Sequence, residues 1–101
     1  MTLSELIKFL EKRDPELAVS NGFSNPHSYR GYYEDLAFEP EKNTTVGAML
    51  KCAKSALGET YYGYKGDEFK MCEYTDVWLA AYSFCGEGLG EMLLKYMVGE
   101  A

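Results

Sequence analysis

Residues 76–82, DVWLAAY, constrain the fold more than any other stretch of this chain. As a strand, they put Val77, Leu79 and Ala81 on one face and Trp78, Ala80 and Tyr82 on the other, because side chains alternate. Both faces are then apolar, which suits a central strand covered above and below. The rest of the chain must provide flanking strands and a covering layer.

Helices supply that layer. Thr2, followed three residues later by Glu5, has the pattern of a capping box. Leu3, Leu6, Ile7 and Leu10 follow at helical spacing and form one apolar stripe. Asp14-Pro15 is expected to close this helix, since a residue before proline avoids the α region. Thr44 or Thr45 caps a second helix, with Val46, Met49, Leu50, Ala53 and Leu57 on one face and Gly58 as its stop. Leu89, Met92, Leu93, Tyr96 and Met97 mark a third, shorter one.

The flanking strands are brief. Residues 16–20 place Leu17 and Val19 on one face, and residues 35–39 alternate before Pro40 ends them. Residues 59–64 and 68–72 form a hairpin about the turn Lys65-Gly66-Asp67. Residues 85–88 read as a flexible loop. The expectation is an α+β fold: about three helices packed with a small, mainly antiparallel sheet, in a single domain spanning residues 1–101.

Charge removes several function classes. Lys and Arg number 10 against 16 Asp and Glu, a net −6. Each half of the chain has five basic and eight acidic residues, −3 apiece, with no basic block. Duplex nucleic acid is therefore not an expected partner, since its recognition needs clustered positive charge. No apolar run reaches the ~20 residues of a membrane span, and no charged-then-apolar leader opens the chain. Three widely spaced cysteines, Cys52, Cys72 and Cys85, argue against a disulfide framework and for a reducing cytosol, the host cytosol in the reading given below. At this size, homo-oligomerisation is a ready source of extra stability.

Residues 21–40, NGFSNPHSYRGYYEDLAFEP, form the candidate functional segment and read as a long aromatic loop. It holds the only histidine, His27, and Arg30 amid Tyr29, Tyr32 and Tyr33. A zinc site from His27 and the cysteines fails on spacing: 24, 19 and 12 residues intervene, where structural zinc sites bring close pairs. Thiols acting as small buried hydrophobes explain the cysteines better. A Cys–His nucleophile would use Cys85, because Glu73 beside Cys72 opposes a thiolate. No acidic residue sits in a glycosidase-like setting, and GYKGDEF lacks P-loop spacing and its following helix. The chain therefore reads as non-catalytic, with no cofactor and no metal.

An arginine–tyrosine surface remains. Arg30 offers a planar fork for phosphate or carboxylate, and tyrosines offer faces on which a ring can stack. His27, Tyr29, Arg30, Tyr32 and Tyr33 form one group, and Lys65, with Tyr61, Tyr62 and Tyr64, can face it across the sheet. Two readings follow. One is a pocket for a small anionic, nucleotide-like ligand, and the other is a protein-binding patch, since Tyr, Trp and Arg dominate interface hot spots.

Residues 25–40 (NPHSYRGYYEDLAFEP) and 45–71 (TVGAMLKCAKSALGETYYGYKGDEFKM), with DVWLAAY at 76–82, resemble a group of short bacteriophage-encoded proteins. The resemblance spans residues 25–82 and carries no activity and no site residues. It implies a small accessory protein, of a size often used to blunt host defence. Such a protein either sequesters a nucleotide messenger or docks directly on a host defence protein.

Overall fold

A long β-hairpin frames the fold. The computed structural model describes residues 1–63, 65–82 and 84–100. In it, β1 (Ala18–Ser28) pairs antiparallel with β2 (Leu36–Thr45). Around this hairpin lie α1 (Leu3–Glu11), α2 (Val46–Ala56), β3 (Thr60–Tyr62), β4 (Glu68–Lys70), β5 (Val77–Leu79), β6 (Glu87–Gly88) and α3 (Glu91–Met97). The main sheet runs β1-β2-β5-β6, and β3-β4 forms a separate hairpin. β5 is parallel to β2 and antiparallel to β6. The chain is an α+β fold with three helices and a mainly antiparallel sheet among the described residues.

β5 is a central strand as residues 76–82 suggest, but it is shorter, Val77–Leu79, and Ala81 and Tyr82 lie beyond it and exposed. Leu36 and Phe38 of β2 and Val77 of β5 enter one core with residues of all three helices. α1 contributes Leu3, Leu6 and Leu10, α2 contributes Val46, Met49 and Ala53, and α3 contributes Leu94. The opposite face has Ala37 and Trp78, covered by Tyr29 and Ala80 in a second, small cluster. Fully burying each large aliphatic side chain contributes about 1.5–3 kcal/mol, so the helical side holds most of the stability.

The helix signals are well placed. Thr2 Oγ1 accepts the Glu5 N–H at 3.3 Å, and the Glu5 carboxylate accepts the Thr2 N–H at 2.9 Å. Thr45 caps α2 by accepting the Ala48 N–H at 3.1 Å, and Gly58 follows in the left-handed region at φ +82°. α1 ends earlier than the Asp14-Pro15 stop, with Lys12 as its C-cap. Asp14 instead nucleates a turn, its side chain accepting the Glu16 N–H at 2.9 Å.

Four expectations are corrected. Residues 21–40 are mostly strand, because Asn25 forms a β-bulge between Ser24 and Pro26 at φ +44°. Asparagine tolerates that conformation, and the bulge lets the strand continue past the proline. Pro40 does not end β2 either. Of β2, only Leu36, Ala37 and Phe38 pair with β5, so Pro40 lies where β2 has a single neighbour and needs no donor on its other side. Residues 87–88 pair with β5 as β6 rather than forming loop. In α3 the buried side is Leu94, while Met92 and Tyr96 are 85% and 74% exposed. Apolar residues fill that short helix except for the Glu91–Lys95 stripe, so periodicity alone does not select its inner face.

Candidate binding surface at the hairpin end

Residues 29–35 close the β1–β2 hairpin through three backbone bonds. The Tyr29 N–H donates to the Asp35 carbonyl at 2.9 Å, Tyr32 to Tyr29 at 3.2 Å, and Asp35 to Tyr32 at 2.9 Å. Ser28 Oγ adds a 2.6 Å bond to the Tyr33 carbonyl. The aromatic segment is thus a tightly bonded turn rather than a long loop.

Tyr29 holds this turn against the sheet. Its ring stacks on Trp78, with centroids 4.4 Å apart and planes 9° from parallel, and its hydroxyl accepts the Gly86 N–H at 3.3 Å. Trp78 Nε1 donates to Asp35 Oδ2 at 2.9 Å. The turn, β5 and the segment leading to β6 are therefore joined through one ring pair. Gly31 is needed here, since a Cβ would come within 2.7 Å of the Tyr29 ring.

His27 is 7% exposed. Its Nδ1 lies 3.0 Å from the Asn25 carbonyl, which can only accept, so Nδ1 carries the proton. Nε2 is buried with no hydrogen-bond partner among the described residues. The Tyr82 ring covers the imidazole at 5.3 Å. Glu39 stabilises the same corner, taking a bond from Asn25 Nδ2 at 3.0 Å and from the Tyr82 N–H at 3.2 Å. Those bonds, Asn25 first, hold the Glu39 carboxyl below its ordinary value.

The six residues of the arginine–tyrosine group therefore have different surroundings. His27 and Tyr29 are buried, and Tyr33 is half-buried against Phe69, with centroids 6.1 Å apart. Tyr32 is exposed, its hydroxyl donating to Glu34 at 2.9 Å. That bond and the Glu34 charge push its phenol up, keeping it a neutral donor. Arg30 is half-buried at the turn, and Lys65 is exposed in the β3–β4 turn beside Gly66, at φ +88°. The β3–β4 hairpin does meet the β1–β2 turn, through Tyr33, Phe69 and Gly63. Tyr64 lies outside the described residues.

Sequence reasoning missed a polar cleft of about 410 Å³ beside this turn. Glu34, Asp35 and Asp76 line it with Lys70, Cys72 and Tyr74. Burial raises the Asp35 carboxyl first, and the neighbouring charges of Asp76 and Glu34 raise it further against the opposing Trp78 bond. Tyr74 stands 76% exposed at the edge. The acidic pairs Glu34-Asp35 and Glu73-Tyr74-Thr75-Asp76 are visible in the sequence, but only folding brings them together.

Only one cysteine, Cys52, packs against the hydrophobic core. Cys52 is half-buried, while Cys72 and Cys85 are exposed, all three as free thiols. The Thr75 hydroxyl lies 3.6 Å from Cys72 Sγ and, with the Tyr74 N–H, holds that thiol below its ordinary value despite Glu73. No cysteine hydrogen-bonds to His27, and no three His, Cys, Asp or Glu side chains converge as a metal site, among the described residues. No helix is long and apolar enough to cross a membrane among those residues. Comparison with protein-family models, with curated proteins and with solved structures returned no match.

Proposed function

We propose that this chain is a non-catalytic binding protein of the accessory kind that the bacteriophage resemblance implies, docking on a host defence protein through its hairpin end. The acidic cleft carries this reading. Three carboxylates, Glu34, Asp35 and Asp76, outweigh the one cation, Lys70, around a concave space edged by the exposed ring of Tyr74. Such a surface suits an arginine or lysine on a partner, which gains both charge pairing and a ring face. The rigid turn lowers the ordering cost of binding.

Sequestration of a small anionic, nucleotide-like ligand is the second reading. Arg30 favours it, since it sits on a turn fixed by the Tyr29–Trp78 stack and a guanidinium carries the positive charge that an anion needs. Tyr32 and Lys65 are the exposed members of that group. The carboxylates at the same end work against an anion.

Native mass spectrometry of protein purified from defence-active cells separates the two. Docking is supported by a retained protein that is lost at high salt and in a Glu34→Lys, Asp76→Lys variant. A retained small anion, lost on Arg30→Ala with the fold intact, supports sequestration instead. A bound protein that survives the double charge reversal rules out the cleft as the docking site.

A further inference from the structure

We propose that the outer face of α3 is a homodimer contact, with a second copy of this chain as its occupant. The face lies apart from the hairpin end and does not depend on the docking reading. α3 turns Leu94 inward, yet Met92 and Tyr96, one turn apart, are 85% and 74% exposed. Leu93 and Met97 are half-buried beside them. α3 bears one charged stripe, Glu91 and Lys95, and is apolar elsewhere; the chain's own core covers only part of that apolar surface.

The face carries both a ridge and grooves. Tyr96 and Met97 form a ridge between two shallow grooves, each of about 320 Å³. One groove runs between α3 and Leu79 and Pro40, with a mostly apolar lining. The other runs between α3 and Ala18 and Ser20. Ridges of side chains settling into grooves are the ordinary geometry of helix packing. A two-fold axis lets each copy offer its ridge to the other's groove.

Charge selects a second copy over a charged partner. A two-fold contact sets every patch against itself, so a patch with net charge repels its mate. The protein is −6 overall, but the only charges on α3 are Glu91 and Lys95, paired at 3.7 Å. Antiparallel helices crossing at Leu93 set Glu91 of each copy level with Lys95 of the other, and their dipoles oppose favourably. Glu41, Lys42 and Glu87 at the groove rim leave one acid over balance, too little to recruit a strongly basic partner.

Sedimentation velocity across a concentration series tests this contact. The wild type is expected to approach twice its 11.4 kDa chain mass, with Met92→Glu and Tyr96→Glu each weakening association about tenfold or more by placing like charges across the axis. Tyr74→Glu, on another face, is expected to associate as the wild type does, and circular dichroism confirms that each variant folds. A wild type that stays monomeric throughout overturns the proposal, as does association unchanged in both α3 variants. If a glutamate variant fails to fold, methyl NMR of the wild type decides. Met92 and Met97 signals that move with concentration support the contact, and signals that stay fixed overturn it.

Discussion

At the scale of single residues, the hairpin end depends on close contacts that tolerate little change. Gly31→Ala drives a methyl group toward the Tyr29 ring, 2.7 Å away, and Trp78 behind that ring blocks its retreat. A loss of about 1–3 kcal/mol is expected in urea unfolding, the usual cost of overpacking. Asp35 makes a pH prediction. Its carboxyl is raised above the ordinary 3.8, so between 3.8 and that higher value the folded state binds more protons than the unfolded chain. Stability from this residue is therefore present at low pH and falls as pH rises through that interval. Asp35→Asn keeps an acceptor for Trp78 and removes the ionisation. Its melting temperature at neutral pH should equal or exceed that of the wild type, with a flatter pH dependence; a clear drop at neutral pH would contradict the sign. Glu39 acts oppositely, since its lowered pKa contributes stability above about 4.5 that is lost on acidification.

Elements are set by caps and by two close approaches. Thr2→Ala removes the Oγ1 acceptor of the capping box and should cost about 1 kcal/mol by thermal denaturation. Gly86→Ala is more severe, because a Cβ there would stand 2.0 Å from the Leu79 carbonyl and 2.8 Å from the Ala80 side chain. Backbone cannot yield as a flexible side chain does, so this variant should lose the β5–β6 pairing or fail to fold, seen as lost amide protection at Leu79 and Glu87. The end of α1 shows how far local signals reach. Its start is set by Thr2 and Glu5 within one turn, but its stop at Lys12 comes earlier than Asp14-Pro15 suggests. The Asp14 side chain prefers a turn of its own there.

For the whole molecule, one layer of helices covers one face of the sheet, and the other face is closed by Tyr29, Trp78 and Tyr82. Cys72 and Cys85 lie outside the main core, while Cys52 packs against it. Thiol titration under native conditions should find Cys72 and Cys85 readily modified and Cys52 slow, with no change in melting temperature on adding reductant. Thr75→Val should move the alkylation profile of Cys72 to higher pH, since the hydroxyl that favours its thiolate is gone. An unmoved profile would assign the lowered pKa to the Tyr74 backbone instead.

What the amino-acid order determined by itself is local and periodic. The capping box, the stripes of α1 and α2, the glycine-turned hairpin at residues 60–70 and the two apolar faces of β5 all depend on neighbours within a few positions. Each is therefore legible without the fold, as is the α+β class that they imply together. Only the tertiary structure decided the rest. Pro26 and Pro40 look like strand breakers, yet a bulge and an early departure of β5 make room for them. Tyr29 looks like a free stacking face, yet Trp78, 49 positions later, occupies it. Glu34, Asp35 and Asp76 share a cleft only because β2 and β5 run side by side. These outcomes depend on which distant segment occupies the space beside a residue, and spacing along the chain carries no such information.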